Sequence, residues 1–234
     1  MMQQTSTADT SARPHSETPV PAHKGSPKRS WLWRFSQVIS WIYTTLVFEL
    51  QVFGTRNIPR EGGALLLANH QSHLDPVLIA VKLKRPVSYM AKSELFEKSR
   101  FFTWLITSLH AFPLKRGTAD IGAMKEAIAR LGEGHVLNMY PEGTRTKTGA
   151  IGPILPGVAV IVRRAGVSVI PVIIDGSFNA MPKGAKFPRK CKIRITYGAP
   201  LKLEGLKSNQ IVELIDKTLR QMLVESRRRG VRHA

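Results

Sequence analysis

The chain has 234 residues, enough for one domain with a sizeable core plus tails. Its 35 Lys and Arg stand against 16 Asp and Glu, a net charge of +19, so an anionic partner is expected: a phosphorylated substrate, an anionic lipid surface or nucleic acid. The single cysteine, Cys191, excludes an internal disulfide and fits a reducing compartment.

Residues 1–30 are rich in Ser, Thr, Pro, Ala and His and poor in large apolar side chains. Such a segment buries too little surface to offset its ordering entropy, so it reads as a disordered tail. It holds no apolar core followed by a small-residue cleavage site, which argues against a secretory signal. Residues 31–53 change character. Phe35, Val38, Ile39, Ile42 and Leu46 follow helical spacing, and no charge falls in the 14 residues between Arg34 and Glu49. That is shorter than the ~20 apolar residues of a spanning helix. Flanking Trp31, Trp33 and Arg34 suit a bilayer interface. The segment is therefore expected to be an amphipathic helix lying in one leaflet. A core helix and a tilted spanning helix are the alternatives.

Ala64–Ala68 is an apolar run that predicts a short buried strand. Pro76 and Val77–Val81 predict the start of a helix, since Pro is tolerated in a first helical turn. The loop Asn69-His70-Gln71-Ser72-His73-Leu74-Asp75 lies between them, on a strand-to-helix connection where catalytic groups are often displayed. A histidine takes a proton near neutral pH. A neighbouring carboxylate can fix its tautomer and stabilise the imidazolium. With no serine elbow or catalytic cysteine motif nearby, the simplest use of His70 and Asp75 is to deprotonate a substrate hydroxyl. His70, His73 and Asp75 as ligands of iron or zinc are a second reading, although nothing else in the chain completes such a site.

Val87–Ala91 predicts another strand, and Ser93 a cap for a helix running through Phe101, Trp104 and Ile106. Its periodicity favours core packing, with lipid contact as the alternative because Lys92, Lys98 and Arg100 sit beside the aromatics. Ala111–Leu114 leads to Lys115-Arg116-Gly117. Asp120 or Thr118 can cap a helix with Ala123, Ala127, Ile128 and Leu131 on one face, which Gly132 and Gly134 stop. Val136–Met139 reads as a strand, with Tyr140-Pro141-Glu142-Gly143-Thr144-Arg145 at its exit. Gly143 permits close backbone approach to a ligand. Arg145 offers a planar fork of donors matched to phosphate. Glu142 can orient Arg145 or accept from a substrate hydroxyl. Read alone, the hexapeptide is equally a surface turn held by a Glu–Arg pair.

Asn69-His70, four residues and Asp75, followed about 70 residues on by Glu142-Gly143-Thr144-Arg145, resembles the glycerolipid acyltransferase family, and within it the 1-acylglycerol-3-phosphate O-acyltransferases. The resemblance covers roughly residues 50–200. The two motifs in this order are far more specific than a His and an Asp at that spacing. It implies that His70 and Asp75 are catalytic and that Arg116, Glu142, Gly143, Thr144 and Arg145 bind the substrate and its phosphate. It also implies that Ile170, Pro171 and Val172 lie on the acyl side. Tyr140 stands where relatives usually carry Phe. Leu155-Pro156 stand where they commonly carry a lysine before the glycine.

Val167–Ile174 predicts a strand, and Pro171 inside it an edge or a bulge. Residues 179–190 form a basic loop, and Lys190–Tyr197 alternates like a strand. Ser208 can cap a last helix with Ile211, Leu214, Ile215 and Leu219 on its apolar stripe, and Arg227, Arg228, Arg229 and Arg232 end the chain.

The expected fold is α/β: a mixed, largely parallel sheet flanked by helices, with an N-terminal membrane-contacting helix. The expected parts are a tail (1–30), the amphipathic helix (31–53), the acyltransferase core (54–205) and a C-terminal helix with a basic tail (206–234). The resemblance implies transfer of an acyl group from acyl-CoA or acyl-carrier protein to lysophosphatidic acid. It calls for no metal and no cofactor beyond the thioester substrate. It places the protein at the cytoplasmic face of an anionic membrane surface. The alternatives are an acyltransferase acting on another glycerolipid or lysolipid acceptor, and a non-catalytic basic protein binding lipid or nucleic acid. No zinc-finger spacing, RNA-binding aromatic motif or nucleotide-binding glycine loop supports a nucleic-acid partner.

Overall fold

The computed structural model describes residues 30–97, 99–114 and 120–231. Residues 1–29 of the expected tail and Arg116 therefore lie outside the described residues. A seven-stranded sheet is built from β1 (Gln51–Phe53), β2 (Ala64–Ala68), β3 (Val87–Lys92), β4 (Ala111–Leu114), β5 (Val136–Met139), β6 (Ser168–Asp175) and β7 (Arg194–Tyr197), in the order β1-β7-β6-β2-β5-β3-β4. β4, β3, β5, β2 and β6 run parallel, and β7 turns back antiparallel to β6 with β1 alongside it.

The central strands are apolar on both faces, which is why they read as continuous runs. Leu65, Leu67, Leu137, Val169 and Ile173 pack under α4 (Ile121–Gly132), α5 (Gly157–Ala165) and α7 (Ser208–Val231). Ala64, Leu66, Val136, Ile170, Val172 and Ile174 pack on the other face with Leu78 and Ile79 of α2 (Asp75–Ala80) and with Phe48. The chain leaves β2 into α2 on one face and leaves β5 toward α5 on the other. The crevice between those two strand ends is the kind of switch point where α/β sheets place ligands.

The helix expected over 31–53 ends earlier. α1 spans Trp31–Val47, capped by Ser30, whose Oγ accepts the Trp33 N–H at 3.1 Å. Phe48 then turns extended, is fully buried and bridges to Cys191, and residues 51–53 become β1, paired with β7. Sheet pairing overrides the helical spacing there. Trp33 and Thr44 of α1 face the body, whereas Trp31, Phe35, Val38, Ile39, Ile42 and Leu46 are exposed. Among the described residues no helix is long and apolar enough to cross a membrane.

Two further expectations need correction. Ser93 opens a 3-10 turn (Ser93–Leu95) rather than a long helix; α3 (Arg100–Ser108) begins separately and turns Phe101 and Trp104 outward. Pro171 lies in an interior strand, neither edge nor bulge. β7 ends at Tyr197, so the Pro171 carbonyl accepts the Gly198 N–H at 2.8 Å just beyond the ladder, where the missing proline N–H interrupts no paired strand.

Arg85 ties the lower end of the sheet together. Its Nη1 donates to the Pro59 carbonyl at 2.7 Å, and its Nη2 to those of Gly62 and Gly134 at 2.6 and 2.5 Å. Charge-assisted bonds of this kind are worth roughly 1.5–3 kcal/mol. Arg85→Met keeps the apolar stem and removes all three bonds, so it should destabilise the protein by at least the worth of one of them, with Arg85→Lys in between. The urea unfolding midpoint checks this.

Candidate active site

Three strand exits meet at the upper edge of the sheet. β2 delivers the loop 69–74, β5 delivers 140–146, and β6 delivers Gly176 and Ser177, the first residue of the short α6 (Ser177–Ala180). Asn69 locks the first to the third: its Nδ2 donates to the Ile174 carbonyl at 2.9 Å, and its Oδ1 accepts the Ile174 N–H at 2.8 Å.

Asp75 is fully buried as the first residue of α2. Its Oδ2 accepts the Gln71 N–H at 2.7 Å and the Ser72 N–H at 2.8 Å, and lies 2.8 Å from His70 Nδ1. Its Oδ1 accepts the Ser177 hydroxyl at 2.7 Å. An oxygen already accepting two backbone N–H groups acts as an acceptor toward the imidazole too. His70 Nδ1 therefore carries the hydrogen, and Nε2 is left with the lone pair of a general base. The Tyr140 ring lies on the imidazole, centroids 3.8 Å apart and planes 12° from parallel. Burial holds the Tyr140 phenol well above its ordinary range, so it stays neutral against His70.

Ser177 was not picked out from the sequence, and it reaches the site through the Gly176 turn. Gly176 has φ 98°, and a Cβ there would lie 2.2 Å from the Lys192 carbonyl oxygen. That Gly-Ser step at the end of a predicted strand was the available signal; its partner 102 residues away was not. Gln71 joins the same turn, its side-chain carbonyl accepting the Phe178 N–H at 3.3 Å and its amide donating to the Gly149 carbonyl at 3.1 Å.

Glu142 has a task the sequence did not show. Its Oε1 accepts the His70 N–H at 2.8 Å and its Oε2 the Gly152 N–H at 2.6 Å, so both oxygens hold backbone groups of neighbouring loops. Burial raises its carboxyl above the ordinary value, against the pull of those two N–H bonds. The Thr146 N–H donates to the His70 carbonyl at 2.9 Å and completes the clamp. Gly143, with φ 66°, and Thr144 form the exposed tip of this turn, and Arg145 is half-buried beside them. Ile170, Pro171 and Val172, the expected acyl side, are buried inside β6. His73 is exposed, and among the described residues no three His, Cys, Asp or Glu side chains gather as metal ligands.

Glu142→Gln leaves one acceptor for two N–H donors and points an amide N–H at one of them. It should lower stability at neutral pH by roughly 1.5–3 kcal/mol, the worth of one charge-assisted bond. Amide exchange at His70 and Gly152 should speed up together; unchanged protection at both would remove the clamp.

Residues 49–175 match the family model described as acyltransferase. The chain is 27% identical over 153 residues to the 1-acyl-sn-glycerol-3-phosphate acyltransferase of Bacillus subtilis, covering 65% of this chain and 73% of that one. It is 31% identical over 156 residues to the enzyme of the same name from Streptococcus pneumoniae, covering 65% of this chain and 56% of the relative. With the chloroplastic enzyme of Arabidopsis thaliana it shares 27% identity over 142 residues, spanning 59% of this chain and 39% of the relative. The crystal structure of the 1-acyl-sn-glycerophosphate acyltransferase of Thermotoga maritima superposes with a TM-score of 0.71 at 25% identity, over 82% of this chain and 78% of that one.

Proposed function

The chain belongs to the acyltransferase family, and from that premise we propose that it acylates the 2-hydroxyl of 1-acylglycerol 3-phosphate, using a thioester of coenzyme A or acyl-carrier protein. The observation that carries the reading is the His70–Asp75 pair at 2.8 Å, buried at the exit of β2 and next to the arginine-bearing turn after β5. His70 Nε2 takes the hydroxyl proton as the oxygen attacks the thioester carbonyl. Asp75 stabilises the imidazolium that forms. The tetrahedral intermediate expels the thiolate, which takes the proton from His70, giving phosphatidic acid and free thiol. The acyl group passes directly to the acceptor, so neither a covalent acyl-enzyme nor a metal is needed.

Arg145, with Arg116 from the segment after β4, would hold the acceptor phosphate, so that binding energy remote from the reacting carbon orients the hydroxyl. The exposed apolar stripe of α1 would rest in the interfacial layer at the cytoplasmic face, where both the lipid acceptor and a soluble thioester can be reached.

His70→Ala should lower turnover by about 10²–10⁴-fold, the range for loss of a general base, with little change in the melting temperature. Normal turnover by a folded His70→Ala protein would sink the mechanism. Arg145→Lys keeps the charge and loses the fork. Loss of a charge-assisted bond worth roughly 1.5–3 kcal/mol corresponds to about 10–150-fold in acceptor efficiency. Steady-state kinetics with each substrate varied should show the acceptor affected and the donor barely so. The reverse pattern would mean that the two halves of the cleft are assigned the wrong way round.

A further inference from the structure

At the far end of the strands from His70, residues 55–60 and 82–85 enclose a cleft of about 280 Å³. The first segment leads into β2 and the second runs from α2 into β3, so both lie at the N-terminal ends of parallel strands. Arg56, Arg60, Lys82 and Lys84 line the cleft with exposed side chains, and Arg85 closes it from behind. Among the described residues no carboxylate lines it; Glu61, which acts electrostatically on Arg85, is exposed and is not part of the lining. The buried side chains of Ile58 and Leu83 give it an apolar floor. Cations gathered around one small concavity repel each other, and an anion seated among them relieves that repulsion. A floor that is partly apolar suits a phosphate carried on a glycerol.

The cleft is joined to α1. Lys82 Nζ lies 4.7 Å from the centroid of the Trp41 ring, on the flank of the helix. Gln37 Nε2 donates to the Ala80 and Leu83 carbonyls at 2.9 and 2.7 Å, fixing the first half of α1 to the cleft wall. Just past the other end of α1, Phe48 bridges to Cys191, whose thiol donates to the carbonyl of Gly176, next to Ser177. The helix thus runs from the cleft toward the edge that carries His70. Moving sideways from its apolar stripe, one meets Trp41, then Lys82, then the cleft, the order in which a bilayer changes from acyl chains through the interface to phosphates. A helix held by its stripe alone can roll about its axis, and a contact off the axis stops it.

We propose that this cleft binds the phosphate headgroup of an anionic phospholipid of the membrane, a second anchor that fixes the roll of α1 and holds the His70 edge at the bilayer. The proposal rests on the membrane reading of α1, and the test separates the two. The full-length protein is sedimented with phosphatidylcholine vesicles, with and without phosphatidylglycerol. One variant combines Arg56→Gln, Arg60→Gln, Lys82→Gln and Lys84→Gln. A charge-matched control combines Arg163→Gln, Arg164→Gln, Lys202→Gln and Lys207→Gln, exposed positions on the α5–α7 side of the sheet. A third variant combines Ile39→Glu and Ile42→Glu in the stripe. Each cation near an anionic surface is worth about 1 kcal/mol, roughly fivefold in affinity. The cleft variant should therefore bind anionic vesicles up to roughly 600-fold more weakly while keeping its binding to neutral ones. The control should keep most of the anionic preference, and the stripe variant should lose binding to both. Equal losses in the cleft and control variants would mean diffuse charge and overturn the proposal, as would an unchanged cleft variant. A stripe variant that binds like wild type, beside a defective cleft variant, would remove the α1 reading and leave the cleft standing. If the fourfold variant does not fold, Arg60→Gln and Lys84→Gln singly should each show the fivefold step; no step in either would overturn the proposal.

Discussion

Everything at the upper edge of the sheet turns on one buried carboxylate. Asp75 is the first residue of a short helix, has no solvent exposure, and takes donors from its own loop, from His70 and from Ser177. A buried carboxylate is tolerable only when its acceptor capacity is filled, because desolvation costs more than any single bond returns. Filling it demands that the loop after β2 curl back on the start of α2 and that the turn after β6 arrive alongside. The same bonds that make the charge tolerable set the imidazole's tautomer.

The second carboxylate of the region does structural work of the same kind one strand away. Glu142 accepts N–H groups from the loop after β2 and from Gly152, and Tyr140 from that strand exit stacks on the imidazole. His70 is thus held in the ring plane by Asp75, across its face by Tyr140 and through its backbone by Glu142 and Thr146. Such multiple restraint fixes the imidazole, as the proposed general base would require. It also explains a division of labour inside Glu142-Gly143-Thr144-Arg145: the first residue faces the fold, the tip is exposed, and the arginine is half-buried beside it.

The strands that were legible in sequence are those buried on both faces. Leu65–Leu67 is an apolar run too short for a helix, and Val136–Met139 is a short run broken only by Asn138, so nothing competes with the strand reading. What escaped depended on partners distant in the chain. Residues 51–53 belong to a strand because Arg194–Thr196 lie beside them, a pairing with no local mark. Pro171 reads as an edge until β7 is known to end before reaching it. In the site, His70 and Asp75 were legible because they are five residues apart and paired in the same loop. The roles of Ser177 and Glu142 were not, because each is defined by a backbone or carboxylate brought in by another strand.

The same long-range dependence binds α1 to the chemistry. Its outer stripe is apolar enough to suggest a detachable anchor, yet Trp33, Thr44 and the adjoining Phe48 are buried, and Phe48 belongs to the core formed around Ile170, Val172 and Ile174. Cys191, which Phe48 bridges, reaches the Gly176 carbonyl, and the Gly176 turn presents Ser177 to Asp75. Close-packed interiors transmit displacement rather than absorb it. The orientation of α1 and that of the histidine are therefore one geometric fact. Whatever surface the stripe meets, the exit of β2 meets it at a fixed angle. Under the proposed mechanism, that angle would decide whether a lipid acceptor presents its hydroxyl to Nε2.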